Sequence, residues 1–190
     1  LSNGIAFQVC DNAVAQYNTI VDMDGLLHTM SRFMGEEQHW DGVGIDADCR
    51  CRGTTTFRCN YVEECYAGSF GFFDYQDTEP AAIVLDNNIS YNCAKFLYYQ
   101  CDTQSYTFTI TNNTVVRTAD SVYADNKKVM DIYNSAPPKG ALVLEKNIFY
   151  YPGHTARLNK VSSIFRGNAY FGDIILPTDS SAITEDPLLI

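Results

Sequence analysis

The sequence predicts an all-β chain wound as a right-handed parallel β-helix, a solenoid of about six to seven coils that makes one domain of residues 1–190. Three observations predict it. Six short segments repeat one frame around an asparagine. Aromatic residues, 13 Tyr and 11 Phe against a single Trp, are plentiful, as suits half-buried pleated surfaces. Helical periodicity is confined to one stretch, where Leu26, Leu27, Met30, Phe33 and Met34 recur at helical spacing.

The repeat carries most of the weight, because a missed repeat misreads the whole fold. The segments are Val14-Ala15-Gln16-Tyr17-Asn18-Thr19-Ile20, Thr56-Phe57-Arg58-Cys59-Asn60-Tyr61-Val62, Val84-Leu85-Asp86-Asn87-Asn88-Ile89-Ser90, Thr109-Ile110-Thr111-Asn112-Asn113-Thr114-Val115, Val143-Leu144-Glu145-Lys146-Asn147-Ile148-Phe149 and Ile164-Phe165-Arg166-Gly167-Asn168-Ala169-Tyr170. Three residues before each Asn stands an apolar side chain; two after it, all but Ser90 are apolar, and Ile89 is beside that one. A strand–turn–strand unit cannot bury its own apolar face, but units stacked in parallel about 4.8 Å apart make a continuous interior. An Asn repeated at one bend stacks amide on amide, and it tolerates the left-handed backbone of a tight bend. Asn18, Asn60, Asn88, Asn113, Asn147 and Asn168 are therefore expected to be structural.

The asparagines are spaced 42, 28, 25, 34 and 21 residues apart, one coil each with insertions in the longer cases. Residues 4–10, 44–49, 69–75, 96–101 and 129–133 lie between them and are expected to form one further sheet. The helical stretch falls in the 42-residue gap, so a short helix or ordered loop is placed near residues 23–35, with 22–41 walling one side of a cleft. A β-sandwich, the rival architecture, calls for tight Asn-Gly hairpins between strands, and the one Asn-Gly is Asn3-Gly4.

Composition bounds the function. Hydrophobic residues are 46% and charged ones 19%, enough apolar surface to fold, without an apolar run long enough to span a membrane. A net charge of −10 disfavours a nucleic-acid partner, which needs basic patches. Seven cysteines point to an oxidising compartment, hence a secreted or cell-surface protein. Leu1 is not Met, and Asp186-Pro187-Leu188-Leu189-Ile190 reads as a strand in progress, so a fragment of a longer chain, with missing flanking coils or domains, is expected.

The stretches Asp41-Gly42-Val43-Gly44-Ile45-Asp46-Ala47-Asp48, Phe57-Arg58-Cys59-Asn60-Tyr61-Val62-Glu63-Glu64 and Gly68-Ser69-Phe70-Gly71-Phe72 resemble the secreted right-handed β-helix region proteins of the pectate-lyase-like superfold. There a DG-x-G-x-D-x-D strand precedes a Q-Y-N-Y-type rung and a Gly-rich strand. Asp186-Pro187-Leu188 resembles the D-P-L-F ending of such domains. Glu63-Glu64 replace a common His-Asp pair. The resemblance covers the chain in rhythm and residues 41–75 in detail, and it implies a glycan-directed protein.

Strand alternation sends every second residue outward. With Ile45, Ala47 and Cys49 inside, Asp46, Asp48 and Arg50 face out; with Gly71, Phe73 and Tyr75 inside, Phe72, Asp74 and Gln76 face out; one coil earlier, so do Ala6 and Gln8. Asp46, Asp48 and Asp74 are thus the candidate catalytic residues, and Gln8, Phe72, Gln76 and Tyr99 the candidate substrate contacts. Glycoside hydrolysis needs one carboxylic acid for the leaving oxygen and a second carboxylate as nucleophile or base, with no cofactor. The arrangement resembles polygalacturonase-like enzymes, although their N-T-D and D-D motifs are missing. The alternative use of the three Asp is a Ca²⁺ site, as in lyases that resemble pectate lyase, with Arg50, Arg52, Arg58 or Lys95 as base. A simple solvated face is the bland reading of the same residues. Expected partners are a polysaccharide or glycan. The function expected first is glycosidic-bond cleavage, by a hydrolase before a lyase, and the alternative is a non-catalytic glycan-binding, adhesin or surface-fibre module.

Other features are weighed down. Cys49, Cys51, Cys59 and Cys65 lack a C-x₂-C pair and match zinc sites poorly. Cys65 and Cys93 each follow a ladder Asn by five residues, which places them one coil apart near disulfide range. His28, His39 and His154 share no frame. Glu63 and Glu64 fall at a bend. Asn88-Ile89-Ser90 and Asn112-Asn113-Thr114 match glycosylation sequons but read as structural. One tyrosine of each pair Tyr98-Tyr99 and Tyr150-Tyr151 must face outward.

Overall fold

A computed structural model describes residues 3–23, 42–48, 51–74, 81–101, 106–123, 125–132, 142–158 and 163–186. Its strands fall into tiers. The first holds β1 (Ile5–Gln8), β2 (Val14–Gln16) and β3 (Thr19–Val21), and the second β4 (Val43–Asp48), β5 (Gly53–Arg58) and β6 (Tyr61–Glu63). The third holds β7 (Gly68–Asp74), β8 (Ala81–Asp86) and β9 (Ile89–Tyr91), and the fourth β10 (Leu97–Cys101), β11 (Tyr106–Thr111) and β12 (Thr114–Val116). β13 (Met130–Ile132), β14 (Leu142–Glu145) and β15 (Ile148–Arg157) make the fifth, and β16 (Ser163–Arg166) and β17 (Ala169–Ile175) follow. The strands join across tiers into three sheets, ordered β1-β4-β7-β10-β13, β2-β5-β8-β11-β14-β16 and β3-β6-β9-β12-β15-β17. All pairings are parallel. The described residues are all-β, with three parallel sheets, an arrangement compatible with a parallel β-helix. The helix expected near residues 23–35 lies, after Met23, outside the described residues.

The repeat frame is the register of two of these sheets. Ala15, Phe57, Leu85, Ile110, Leu144 and Phe165 pair in turn as one row, and Ile20, Val62, Ser90, Val115, Phe149 and Tyr170 as another. Both rows point into one continuous apolar core. Ser90, the polar exception, is buried and shares a 2.6 Å hydrogen bond with Ser69, while Ile89 faces out. Aromatic rings extend along the same interior: Phe7, Phe57 and Phe72 stack at 6.0 and 5.5 Å, and Phe108 meets Phe72 edge-on at 5.3 Å.

The residues expected to be structural form an amide ladder. Nδ2 of Asn18, Asn60, Asn88, Asn113 and Asn147 each donates to Oδ1 of the next Asn, at 2.9, 2.9, 2.9, 2.9 and 3.0 Å. Each backbone N–H donates to the same oxygen at 2.9–3.1 Å. The second amide hydrogen of Asn60, Asn88, Asn113, Asn147 and Asn168 reaches back to the carbonyl of the inward row one tier before. The five rungs from Asn60 to Asn168 are at most 2% exposed. One point of the sequence reading is corrected: the left-handed backbone belongs to the residue before each ladder Asn. Tyr17, Cys59, Asn87, Asn112, Lys146 and Gly167 all have φ between 53° and 59°. The side chain can lie inward only because the preceding residue makes the reversal.

The ladder ends on a carboxylate. Asp179 Oδ2 accepts from the backbone and amide N–H of Asn168, both at 3.0 Å, and Oδ1 accepts from the N–H of Gly167 at 3.0 Å. Burial opposes ionisation of Asp179, but the hydrogen bonds from Asn168, Gly167 and Ser181 outweigh it and hold the carboxyl below its ordinary range.

Two predictions follow from this geometry. Asn88→Ala strips partners from Asn60, Phe57 O and Asn113 inside a sealed interior and should cost about 3–5 kcal/mol, whereas Asn87→Gly at the adjacent left-handed position should change stability by less than about 1 kcal/mol; denaturant midpoints of the two variants provide the check. Because the folded value of Asp179 is depressed, its contribution is present above about pH 4 and is lost as the solution is acidified through the folded value. Asp179→Asn should therefore show a flatter acid limb than the parent in urea midpoints measured from pH 6 to pH 2.

Candidate functional site

The five segments expected to share a sheet do so, as β1, β4, β7, β10 and β13. Its register sets two rows. One runs Ala6, Asp46, Gly71, Tyr98, Asp131, and the other runs Gln8, Asp48, Phe73, Gln100. Ile45, Ala47, Phe70 and Phe72 point into the core, so these two rows are the outer face.

Of the candidate residues, Asp46, Asp48 and Gln8 come together on this face. Gln8 Nε2 donates to Asp48 Oδ2 at 3.0 Å across the tier, and Asn3 Nδ2 donates to Asp46 Oδ2 at 2.6 Å. Asn3 is itself fixed, its Oδ1 accepting the N–H of Val43 at 3.1 Å. Each carboxylate is thus aimed by an amide from the neighbouring tier. The two differ in access: Asp46 is 2% exposed, while Asp48 is half-buried.

Two expectations are corrected. Phe72 pairs with Ala47, not with Asp46 or Asp48, and is a fully buried ring packed on Phe57 and Phe108; it is no surface contact. Phe73 takes the outward position instead, its ring lying against Tyr98 at 5.2 Å. Asp74 closes β7 and pairs with Cys101, and its side chain is outside the described set. Tyr99 is buried beside Tyr106 and Phe108, and Tyr98 is the outward member of that pair. Tyr151 is likewise inside, and Tyr150 outside, stacked on Phe171 at 4.9 Å. Gln76, Tyr75, Arg50, Cys49, His28 and His39 lie outside the described residues, as does the side chain of His154.

Gly71 makes room for this surface. A Cβ there would come within 2.6 Å of Phe73 and 3.0 Å of Val43. Val43, Ala67 and Phe73 form a small apolar cluster of their own with Tyr66 and Tyr98. Gly44, on the inner side, is required by close packing, since a Cβ would lie 2.4 Å from Val62.

The sequence reading missed Asp131 and undervalued Lys95. Asp131 aligns with Tyr98 and binds Lys95 at 3.1 Å and Lys128 at 2.8 Å; Lys95 also lies 4.4 Å from the centre of the Tyr98 ring. Burial pulls Lys95 below the ordinary lysine value, with Asp131 opposing. Burial opposes ionisation of Asp131 too, but the hydrogen bond from Lys128 and the charge of Lys95 outweigh it and hold the carboxyl down. No motif pointed to Asp131, because its partners are 36 residues back and three residues back in the chain. Arg58 is on the second sheet and donates to Gln16 at 2.8 Å; the backbone of Arg52 pairs in parallel with that of Asp11 at the bend before it.

The cysteines do not converge. Cys51 meets Cys10, Cys59 sits at a ladder bend near Asn87, and Cys65 lies one tier from Cys93. The disulfide expected between Cys65 and Cys93 is corrected to two free, buried thiols. Each Sγ is turned to a backbone carbonyl, of Glu63 for Cys65 and of Val62 for Cys93, at 3.5 Å. No group of three or more His, Cys, Asp or Glu that could hold a metal occurs among the described residues. Glu63 accepts from Tyr61 at 3.0 Å and Glu64 is exposed at a bend. The sequon residue Asn88 is a sealed ladder rung, whereas Asn112 is exposed and donates to Asp86 at 2.9 Å. No family model, curated protein or solved structure matches the chain.

Removing the carboxylate of Asp131 strands Lys95, which is largely screened from water. Asp131→Ala should cost about 3 kcal/mol in chemical denaturation, and adding Lys95→Met should recover most of the loss.

Proposed function

We propose that this chain is part of a secreted or cell-surface right-handed parallel β-helix that cleaves glycosidic bonds of a polysaccharide. The single observation that carries the proposal is the pair Asp46 and Asp48, two positions apart on one outer face and each oriented by an amide from the next tier. Alternate residues of a strand stand about 7 Å apart, within the range in which paired carboxyl groups serve glycoside hydrolysis. The half-open Asp48 is assigned as the base that activates water, the role that a separation of about 7 Å leaves room for, and the screened Asp46 as proton donor to the leaving oxygen. Tyr98, backed by the buried Phe73 ring, supplies apolar ring surface for a sugar, with Gln8 and Gln100 at the flanks; Tyr98 donates to Gln100 at 3.2 Å. Handedness follows the strong preference of parallel crossover connections.

Hydrolysis is placed before elimination because a carboxylate pair suffices for it. Elimination needs Ca²⁺ to neutralise a uronate and a free base besides. Asp46 and Asp48 would contribute to such a calcium site, while the candidate base Lys95 is engaged by Asp131. The second reading is a non-catalytic glycan-binding, adhesin or fibre surface. The near-complete screening of Asp46 favours it, since a proton donor must reach its substrate.

Product analysis on neutral and uronic polysaccharides, with and without Ca²⁺, tests the proposal. New reducing ends without unsaturated uronates, reduced at least about 100-fold in both Asp46→Asn and Asp48→Asn, are expected. Ca²⁺-dependent unsaturated products would replace hydrolase by lyase. Glycan binding without cleavage by the folded chain would establish the second reading in its place.

A further inference from the structure

We propose that Cys10 and Cys51 are a redox-responsive dithiol that closes to a disulfide and ties the first tier to the second beside the Gln8–Asp48 pair. The two sulfurs lie 3.1 Å apart, closer than unbonded sulfurs ordinarily approach. The backbone already holds the two residues side by side: Arg52 N–H donates to Cys10 O at 2.8 Å, and Asp11 pairs with Arg52 in parallel. Neighbouring parallel strands stand about 4.8 Å apart, within the Cα separations that disulfides tolerate, so closing the bond needs side-chain rotation and no backbone rearrangement.

The pair is also reachable, which distinguishes it from Cys65 and Cys93. Cys10 is partly exposed, whereas Cys65 and Cys93 are 0% and 3% exposed. Cys51 is buried at 3% and its thiol is turned to the carbonyls of Phe7 at 3.4 Å and Asp48 at 3.5 Å. Burial, with Cys10 adding to it, pushes the Cys51 thiol up to about 12. The order of events follows. Cys10, as thiolate, attacks a small-molecule disulfide, forms a mixed disulfide and releases one thiolate. Cys51 then gives up its proton, attacks the Cys10 sulfur and expels the second thiol. Two protein thiols are oxidised and one external disulfide is reduced to two thiols.

The bond would sit two residues after Gln8 and three after Asp48, at the ends of β1 and β4. It would close a loop of about 40 residues and remove much of that segment's freedom in the unfolded chain. Oxidation would therefore stiffen the edge of the outer face that carries Asp48.

The experiment uses the full chain, reduced and then equilibrated with oxidised and reduced glutathione, followed by alkylation of free thiols and peptide mapping. A Cys10–Cys51 cross-link as the main product, reversed by dithiothreitol, is expected, with the thermal midpoint of the oxidised protein about 10 °C above that of the reduced one. That shift should vanish in Cys10→Ser and persist in Cys59→Ser. Recovery of Cys10 as a stable glutathione adduct, as a free thiol, or joined to any other cysteine would overturn the proposal. Mapping of the unsubstituted chain decides this even where a variant fails to fold.

Discussion

The structure depends on one constraint: an amide placed in an apolar interior must find every hydrogen-bond partner there. An unpaired buried amide costs several kcal/mol, and no water is at hand to relieve it. A row of asparagines solves this only when successive residues stand one above another at the spacing of parallel strands. From Asn60 to Asn147 each Oδ1 takes two N–H donors from the tier before, and each Nδ2 takes two acceptors, the next Oδ1 and a carbonyl of the inward row. The solution tolerates no slip. A shift of one residue would turn the inward rows out to solvent and break each rung at once. The second and third sheets, on either side of this bend, are therefore in register at every rung, and β15 shifts against β17 only beyond it, between Tyr151 and Thr155.

The same constraint explains where length varies. Ladder residues are separated by as many as 42 and as few as 21 positions, yet the strands beside each rung pair without interruption. Extra residues are consequently placed away from the ladder bend, between the third and first sheets, between the first and second, and within β15 where it shifts against β17. One site of tight fastening away from the ladder is Arg117. It is almost wholly buried, donates to the carbonyls of Cys93, Ala94 and Asn126, and lies 5.1 Å from the ring of Tyr151. Five guanidinium N–H groups can satisfy several carbonyls that leave the regular ladder at once, which a lysine could not do in one plane.

Legibility followed these rules. The ladder, both inward rows and the membership of the first sheet could be read, because a fixed Asn sets the phase of everything within three residues of it. The phase of β7 could not. Ser69-Phe70-Gly71-Phe72-Phe73 shows no alternation of apolar and polar residues, and the bend before it resets the parity; counting from Asp46 gives no guide, since the partner of Asp46 is Gly71, an odd number of residues away. Sequence alone therefore cannot tell Phe72 from its neighbour Phe73, nor Tyr99 from Tyr98, as the outward member. Asp179 escaped notice because the end of a ladder needs only an acceptor. A carboxylate serves, and it carries none of the apolar neighbours that mark the six asparagines.

The polarity of the ladder gives the two ends of the stack different chemistry. At Asn18 the terminal rung presents an acceptor oxygen, and at Asn168 it presents two N–H donors. A carboxylate can close only the donor end, where its charge strengthens each bond. Asp179 does this, and the Tyr170 hydroxyl donates to it as well at 3.2 Å, so that burial and the neighbouring carboxylate both push the Tyr170 phenol up. The outer face of the first sheet is built on the opposite principle. Its carboxylates take amide or ammonium donors in cross-tier pairs: Asn3 with Asp46, Gln8 with Asp48, Lys95 with Asp131. Such pairs fix the direction of a side chain without committing the tier to a ladder. A face made this way can change its residues from one tier to the next while the interior cannot, and that freedom is what a site for a specific ligand requires.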